Sequence, residues 1–144
     1  MIKRIGHIGI IVRDIERALT VYQGALGLHL AKIQERPDLA ATIAFLPTGD
    51  SEIELVQPVT TDSDVAKFLE ERGEGIHHIC LEVDDIEGAL SDLRGRGLQV
   101  IDEIPRVGPE GERFAFIHPK SAHGVLLELY ELSSCQSGLD DHSP

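Results

Sequence analysis

Residues 7–19 read "HIGIIVRDIERAL" and residues 78–90 read "HICLEVDDIEGAL". Eight of these thirteen positions are identical, at a fixed offset of 71. The match resumes at Gly27-Leu28 against Gly97-Leu98, one residue out of step. It returns in "IAFL" (43–46) against "FAFI" (114–117), and again in "IEL" (53–55) against "LEL" (127–129). Similarity in the same order over most of a chain is the mark of a duplicated structural unit.

Each copy has the same local grammar. An alternating run comes first, Ile8, Ile10, Val12 in one copy and Ile79, Leu81, Val83 in the other, which predicts a strand with one apolar face. Asp14 or Asp85 then occupies a helix N-cap position, with an acidic residue in the first turn. Helical spacing follows: Ile15, Ala18, Leu19, Tyr22, and Ile86, Ala89, Leu90, Leu93. Gly27 and Gly97 are stop signals. Three strands complete each unit, "LHLAKIQ", "ATIAFLP", "EIELVQP" in the first and "LQVIDEI", "RFAFIHP", "VLLELYE" in the second. The pattern predicts an α+β fold of two tandem βαβββ modules in a single domain over 1–132. Module one covers 3–59, a linker helix about 61–73, and module two 74–132. The polar, patternless stretch 133–144 is expected to be a flexible tail.

Strand phase selects the chemically interesting side chains. Successive side chains point to opposite faces. With Ile8, Ile10, Val12 and Ile79, Leu81, Val83 covering the helices, His7 and His78 look the other way. The adjacent His77 does not, and Gly6 stands at its place in copy one. Glu54 and Glu128, each between two large apolar residues, also point away from the helices. A strand histidine is usually structural, and a Glu within "IEL" usually faces solvent. Two of each at matched positions of a duplication is a different signal. His7, Glu54, His78 and Glu128 make a mixed nitrogen and oxygen set suited to one divalent metal ion with positions left for substrate. Imidazole with carboxylate accepts Co, Mn, Ni, Zn or Fe. Cys80 shares the His78 face, but Gly9 stands opposite it in the repeat, so it reads as a filler.

Composition narrows the partners. The chain has 144 residues, 42% hydrophobic and 26% charged, with a formal net charge of −12 and no tryptophan. That balance disfavours nucleic acid and anionic membranes, while leaving room for a small anionic ligand at a local Lys/Arg cluster. No apolar run is long enough for a membrane span, and "MIKRIGHIG" lacks the apolar core of a signal peptide. Two cysteines, Cys80 and Cys135, do not form a disulfide framework, so a reducing cytoplasm is expected. From Phe45 to Glu54 is nine residues and from Phe116 to Glu128 twelve; the extra three fall in "HPKSAHG". That loop brings Lys120, Ser121 and His123 near the strand carrying Glu128, as candidate substrate-binding groups.

The paired "HIGIIV…IEL" and "HICLEV…LEL" units resemble the vicinal oxygen chelate superfamily. Within it, "GEGIHHICLEVDDIEGAL" and "FAFIHPKSAHGVLLELYE" closely resemble methylmalonyl-CoA epimerases, over residues 3–132. The resemblance implies a glyoxalase-like fold with a curved mixed sheet around a metal cleft, an acyl-CoA substrate, and a homodimer. It implies His7, His78 and Glu128 as metal ligands, with Glu54 standing where some relatives use Gln. It also implies Glu128 as one acid–base catalyst for the C2 proton. Some relatives carry a second glutamate close to the position of Thr42, which parity with Ala44 is expected to put on the cleft face. The alternatives are a glyoxalase I-type lyase or isomerase with the same ligands, and a non-catalytic resistance-type binding protein. A ring-cleaving dioxygenase finds little support in a short chain with few aromatics.

Overall fold

The computed structural model describes residues 1–132. The expected tail, with Cys135, lies outside them. The chain divides into two compact units, one of His7–His77, the other of Met1–Gly6 with the chain from His78 onward.

In the His7–His77 unit the strands run in the order β2-β3-β4-β1. These are β1 (Ile2–Ile11), β2 (Lys32–Arg36), β3 (Ala41–Thr48) and β4 (Ser51–Pro58). β2, β3 and β4 are antiparallel to one another, and β4 is parallel to β1. Helix α1 (Ile15–Leu19) begins where the Asp14 carboxylate accepts the Glu16 N–H at 2.9 Å. It then widens into a π-helical segment over Thr20–Ala25, with Leu26 N–H bonded to Val21 O, and the turn closes at Gly27 with φ of 75°. Val12, Ile15, Ala44, Leu46 and Leu55, with Ile10, Ala18 and Tyr22 at their margin, form the core between α1 and the sheet. A further helix, α2 (Asp64–Arg72), is capped by Ser63 and covers part of the opposite face. There Val65, Phe68 and Leu69 meet Ile11, Ala41, Ile43 and Val56.

The other unit repeats the plan. β5 (Gly75–Val83), β8 (Leu127–Glu131), β7 (Arg113–Ile117) and β6 (Arg106–Val107) lie in that order, with the start of β1 beside β5. Helix α3 (Ile86–Gly95) is capped by Asp85, whose carboxylate accepts the Gly88 N–H. Its core is Val83, Ile86, Ala89, Leu90, Ala115, Ile117 and Leu129. The strand expected over "LQVIDEI" is largely absent. Only Val100 bridges to Ile117, and the two-residue β6 starts beyond Pro105. The Asp102 carboxylate accepts the Phe116 N–H at 2.9 Å, so a side chain takes over a ladder bond. Pro105 has no N–H to contribute.

Each unit fastens its helix to its last strand in the same way. The Gln57 side-chain oxygen accepts the Ile15 N–H at 2.8 Å, and the Glu131 carboxylate accepts the Ile86 N–H at 2.7 Å. Both satisfy a free donor in the first helical turn. Glu131 additionally receives Arg113 at 2.7 Å.

The core packing yields a direct expectation. Leu90 is 1% exposed at the centre of the α3 core. Leu90→Ala should cost about 2–5 kcal/mol of stability, read as a lowered urea midpoint. A change under about 0.5 kcal/mol, the usual surface range, would mean that this cluster is not the core of its unit.

Candidate active site

The site residues come from the strand faces turned away from α1 and α3. In the His7–His77 unit, register pairs His7 with Glu52 and Gly9 with Glu54, so His7, Glu52 and Glu54 share one face with Ile11 and Val56. His7 Nδ1 lies 3.1 Å from a Glu54 carboxylate oxygen, with both side chains nearly buried. In the other unit Cys80 stands across from Glu128 and Phe116 beyond it, which puts His78, Cys80, Glu128 and Phe116 on one face. His78 Nε2 lies 3.1 Å from a Glu128 oxygen, again with both side chains nearly buried. The Phe116 ring meets the His78 imidazole edge to face at 6.0 Å. Cys80 is fully buried. Glu82, two residues further along, is gripped by Arg4 through Nε and Nη2 at 3.2 and 2.9 Å.

His77 points away from this set. Its ring packs edge to face on Phe68 of α2 at 5.0 Å.

One expectation is corrected. Ala44 belongs to the core under α1, and Thr42 shares its parity, so Thr42 lies on the helix side of β3. The residues of β3 that share the Glu54 face are Ala41, Ile43 and Phe45; Phe45 is the register partner of Glu54. Parity with Ala44 misleads because both faces of β3 are apolar, one under α1 and the other under α2.

The "HPKSAHG" loop forms a short 3-10 turn, Pro119–Ala122, followed by His123 in the left-handed region at φ of 56°. Ser121 Oγ accepts the Gln99 N–H at 2.8 Å, and His118 Nδ1 accepts the Lys120 N–H at 3.0 Å. Ser121 thereby fastens the loop, while Lys120 and His123 are exposed.

Glu52 was not singled out by the sequence. It sits two residues before Glu54, and that spacing on a strand does put both carboxylates on one face. Burial pushes the Glu52 carboxyl up to about 7, and the neighbouring Glu54 charge adds to the rise; His7 and Lys32 oppose it.

Residues 6–116 match the family model of the glyoxalase/bleomycin resistance protein/dioxygenase superfamily. The human mitochondrial methylmalonyl-CoA epimerase is 35% identical over 127 residues, 88% of this chain and 72% of the human one. An ethylmalonyl-CoA/methylmalonyl-CoA epimerase of Cereibacter sphaeroides is 38% identical over 134 residues, 92% of this chain and 100% of its own. A variant of the Streptomyces coelicolor methylmalonyl-CoA epimerase, solved in complex with 2-nitronate-propionyl-CoA, superposes with a TM-score of 0.85. It is 34% identical, over 93% of this chain and 97% of that one. The vicinal oxygen chelate fold with its mixed sheet is therefore the fold of this protein. Within that superfamily the chain belongs to the methylmalonyl-CoA epimerase family, which are isomerases.

Glu52 gives a pH signature in protein stripped of divalent ions. Its folded pKa lies above the ordinary value of 4.5, so the folded state holds the proton more tightly than the unfolded chain. The stability it contributes is complete below pH 4.5 and is lost as pH rises toward 7. Thermal melts across that window should show a fall for wild type that Glu52→Gln reduces. Identical pH profiles for the two proteins would remove Glu52 as the group responsible.

Proposed function

We propose that this protein interconverts the (2R) and (2S) epimers of methylmalonyl-CoA by proton transfer at C2, using one divalent metal ion held by His7, Glu54, His78 and Glu128. The observation that carries this reading is the matched pair: in each half an imidazole nitrogen stands 3.1 Å from a nearly buried carboxylate oxygen. Neighbouring donors around an octahedral ion with bonds of about 2.1 Å are separated by about 3.0 Å, so the spacing within each pair, that of an imidazole–carboxylate contact, also suits two ligands of a common ion. Relatives that act on methylmalonyl-CoA, one of them with an acyl-CoA analogue bound, support the substrate class.

A bound ion supplies Lewis acidity toward the thioester oxygen and carboxylate of the substrate. The chain's residues do the rest. Glu128 turns a carboxylate oxygen toward His78. Its carboxylate handles the proton on one face of C2, and inversion is completed when a proton is delivered to the opposite face by a second donor. Loss of the C2 proton, flanked by a carboxylate and a thioester, gives an enolate. Phe116 beside His78 sets an apolar ring against the pair, which strengthens charge interactions there. The Pro119–Ala122 turn, fastened through Ser121, offers Lys120 and His123 to the acyl-CoA.

The deciding measurement is proton NMR of methylmalonyl-CoA in D2O with metal-loaded protein, following loss of the C2 proton signal. Exchange at a catalytic rate is expected; no exchange with metal bound would overturn the assignment. His78→Ala should lose the metal while His77→Ala keeps most of it, measured by elemental analysis. Equal loss from both would defeat the face argument. Ligand imidazoles must be neutral, so metal content should also fall on acidification.

Glu128→Gln keeps an oxygen donor and removes the basicity. Metal should largely remain while exchange falls by ~10²–10⁴-fold. Retention of both metal and near-normal exchange would show that Glu128 is not the base.

A further inference from the structure

The duplication repeats one more feature, a cation over the phenylalanine beside each site glutamate. Phe45 is the register partner of Glu54, and Lys32 Nζ lies 4.9 Å from the Phe45 ring centroid. Phe116 is the register partner of Glu128, and the Arg106 guanidinium carbon lies 5.6 Å from the Phe116 centroid. The two cations differ in how firmly they are aimed. Lys32 is an exposed point charge on a flexible stem. Arg106 is oriented: its Nε donates to one oxygen of Asp102 at 2.9 Å, while the other oxygen of Asp102 accepts the Phe116 N–H, also at 2.9 Å. The Asp102 side chain is 12% exposed, so the carboxylate that aims the guanidinium is itself fixed.

Among the described residues, neither Nη group of Arg106 has a hydrogen-bonding partner. The same Phe116 ring that carries the guanidinium meets His78 edge to face. An oriented arginine with its terminal fork open therefore stands one aromatic ring away from the His78–Glu128 pair. A planar fork of this kind matches a carboxylate or phosphate bidentately. The chain carries a net charge of −12, which repels an anionic thioester at long range and makes a local, aimed cation the natural means of holding one. We infer that Arg106 grips an oxyanion of the substrate through Nη1 and Nη2, with Asp102 and Phe116 setting its direction. This rests on the reading that the substrate is an acyl-CoA bearing a free carboxylate. The oxyanion is either that carboxylate or a phosphate of the CoA.

The experiment is isothermal titration calorimetry of metal-loaded wild type, Arg106→Gln and Arg106→Lys with methylmalonyl-CoA and with propionyl-CoA. The second ligand has the phosphates but no carboxylate. Loss of a charge-assisted bidentate grip should weaken methylmalonyl-CoA binding by about 10–100-fold in Arg106→Gln. Weakening for methylmalonyl-CoA alone assigns the fork to the carboxylate; equal weakening for both assigns it to phosphate. Arg106→Lys keeps the charge over the ring and loses the fork, so it should recover little. Unchanged Kd for both ligands in Arg106→Gln, or full recovery in Arg106→Lys, overturns the inference. Arg106 is exposed, so both variants should melt with the wild type. A wild type that binds methylmalonyl-CoA without exchanging its C2 proton loses the epimerase reading while these Kd comparisons still decide on Arg106.

Discussion

A carboxylate removed from water must be met by polar groups, and in each half of this molecule an imidazole nitrogen stands 3.1 Å from one. The pleat of the strands is what makes this possible. One face of each sheet is spent on aliphatic side chains beneath a helix, so the alternate positions can be polar without disturbing the core. Leu55 and Leu129, both almost inaccessible, hold their strands against α1 and α3. Their neighbours Glu54 and Glu128 are thereby turned to the other face. Core and chemistry are set by the same two-residue period, so a one-residue slip would bury the carboxylates under the helices and expose the leucines.

Much of this was legible because the repeat compares the chain with itself. The caps Asp14 and Asp85, the glycine stops and the opposed faces of His77 and His78 all follow from local rules read twice. What escaped the reading has identifiable causes. The strand expected at 98–104 has suitable β-branched residues, yet Asp102 turns inward to accept a backbone N–H and Pro105 cannot donate one. Thr42 was assigned to the wrong face because β3 is apolar on both sides, so alternation carries no information there. The π-helical widening at Thr20–Ala25 has no counterpart in residue spacing. Glu52 and Arg106 were missed for another reason: the first takes its character from burial, from Glu54 beside it and from His7 on the neighbouring strand, the second from Asp102 four residues before it and Phe116 on β7.

The two halves are alike in plan and unlike in polish. The first closes its site strand with a nine-residue separation between Phe45 and Glu54, the second with twelve between Phe116 and Glu128. The added length becomes a left-handed turn at His123 and a fastening at Ser121. The oriented arginine belongs to the same half. Duplication supplied two equivalent faces, and subsequent change made one of them the more elaborated.

The fastening of each helix to its last strand has a consequence of its own. Gln57 and Glu131 each stand three residues after a site glutamate, on the opposite face, and each holds the first turn of a helix. Site strand and helix are therefore tied together in each half, by a neutral pin in one and an ionic pin in the other. The neutral amide is indifferent to added salt. The Glu131 carboxylate also anchors Arg113, which is paired with Glu87 as well, so its grip weakens as ions screen the cluster. Ionic strength thus bears on the helix fastening of the second half and passes by that of the first, so two near-identical pieces of chain answer differently to the same solution.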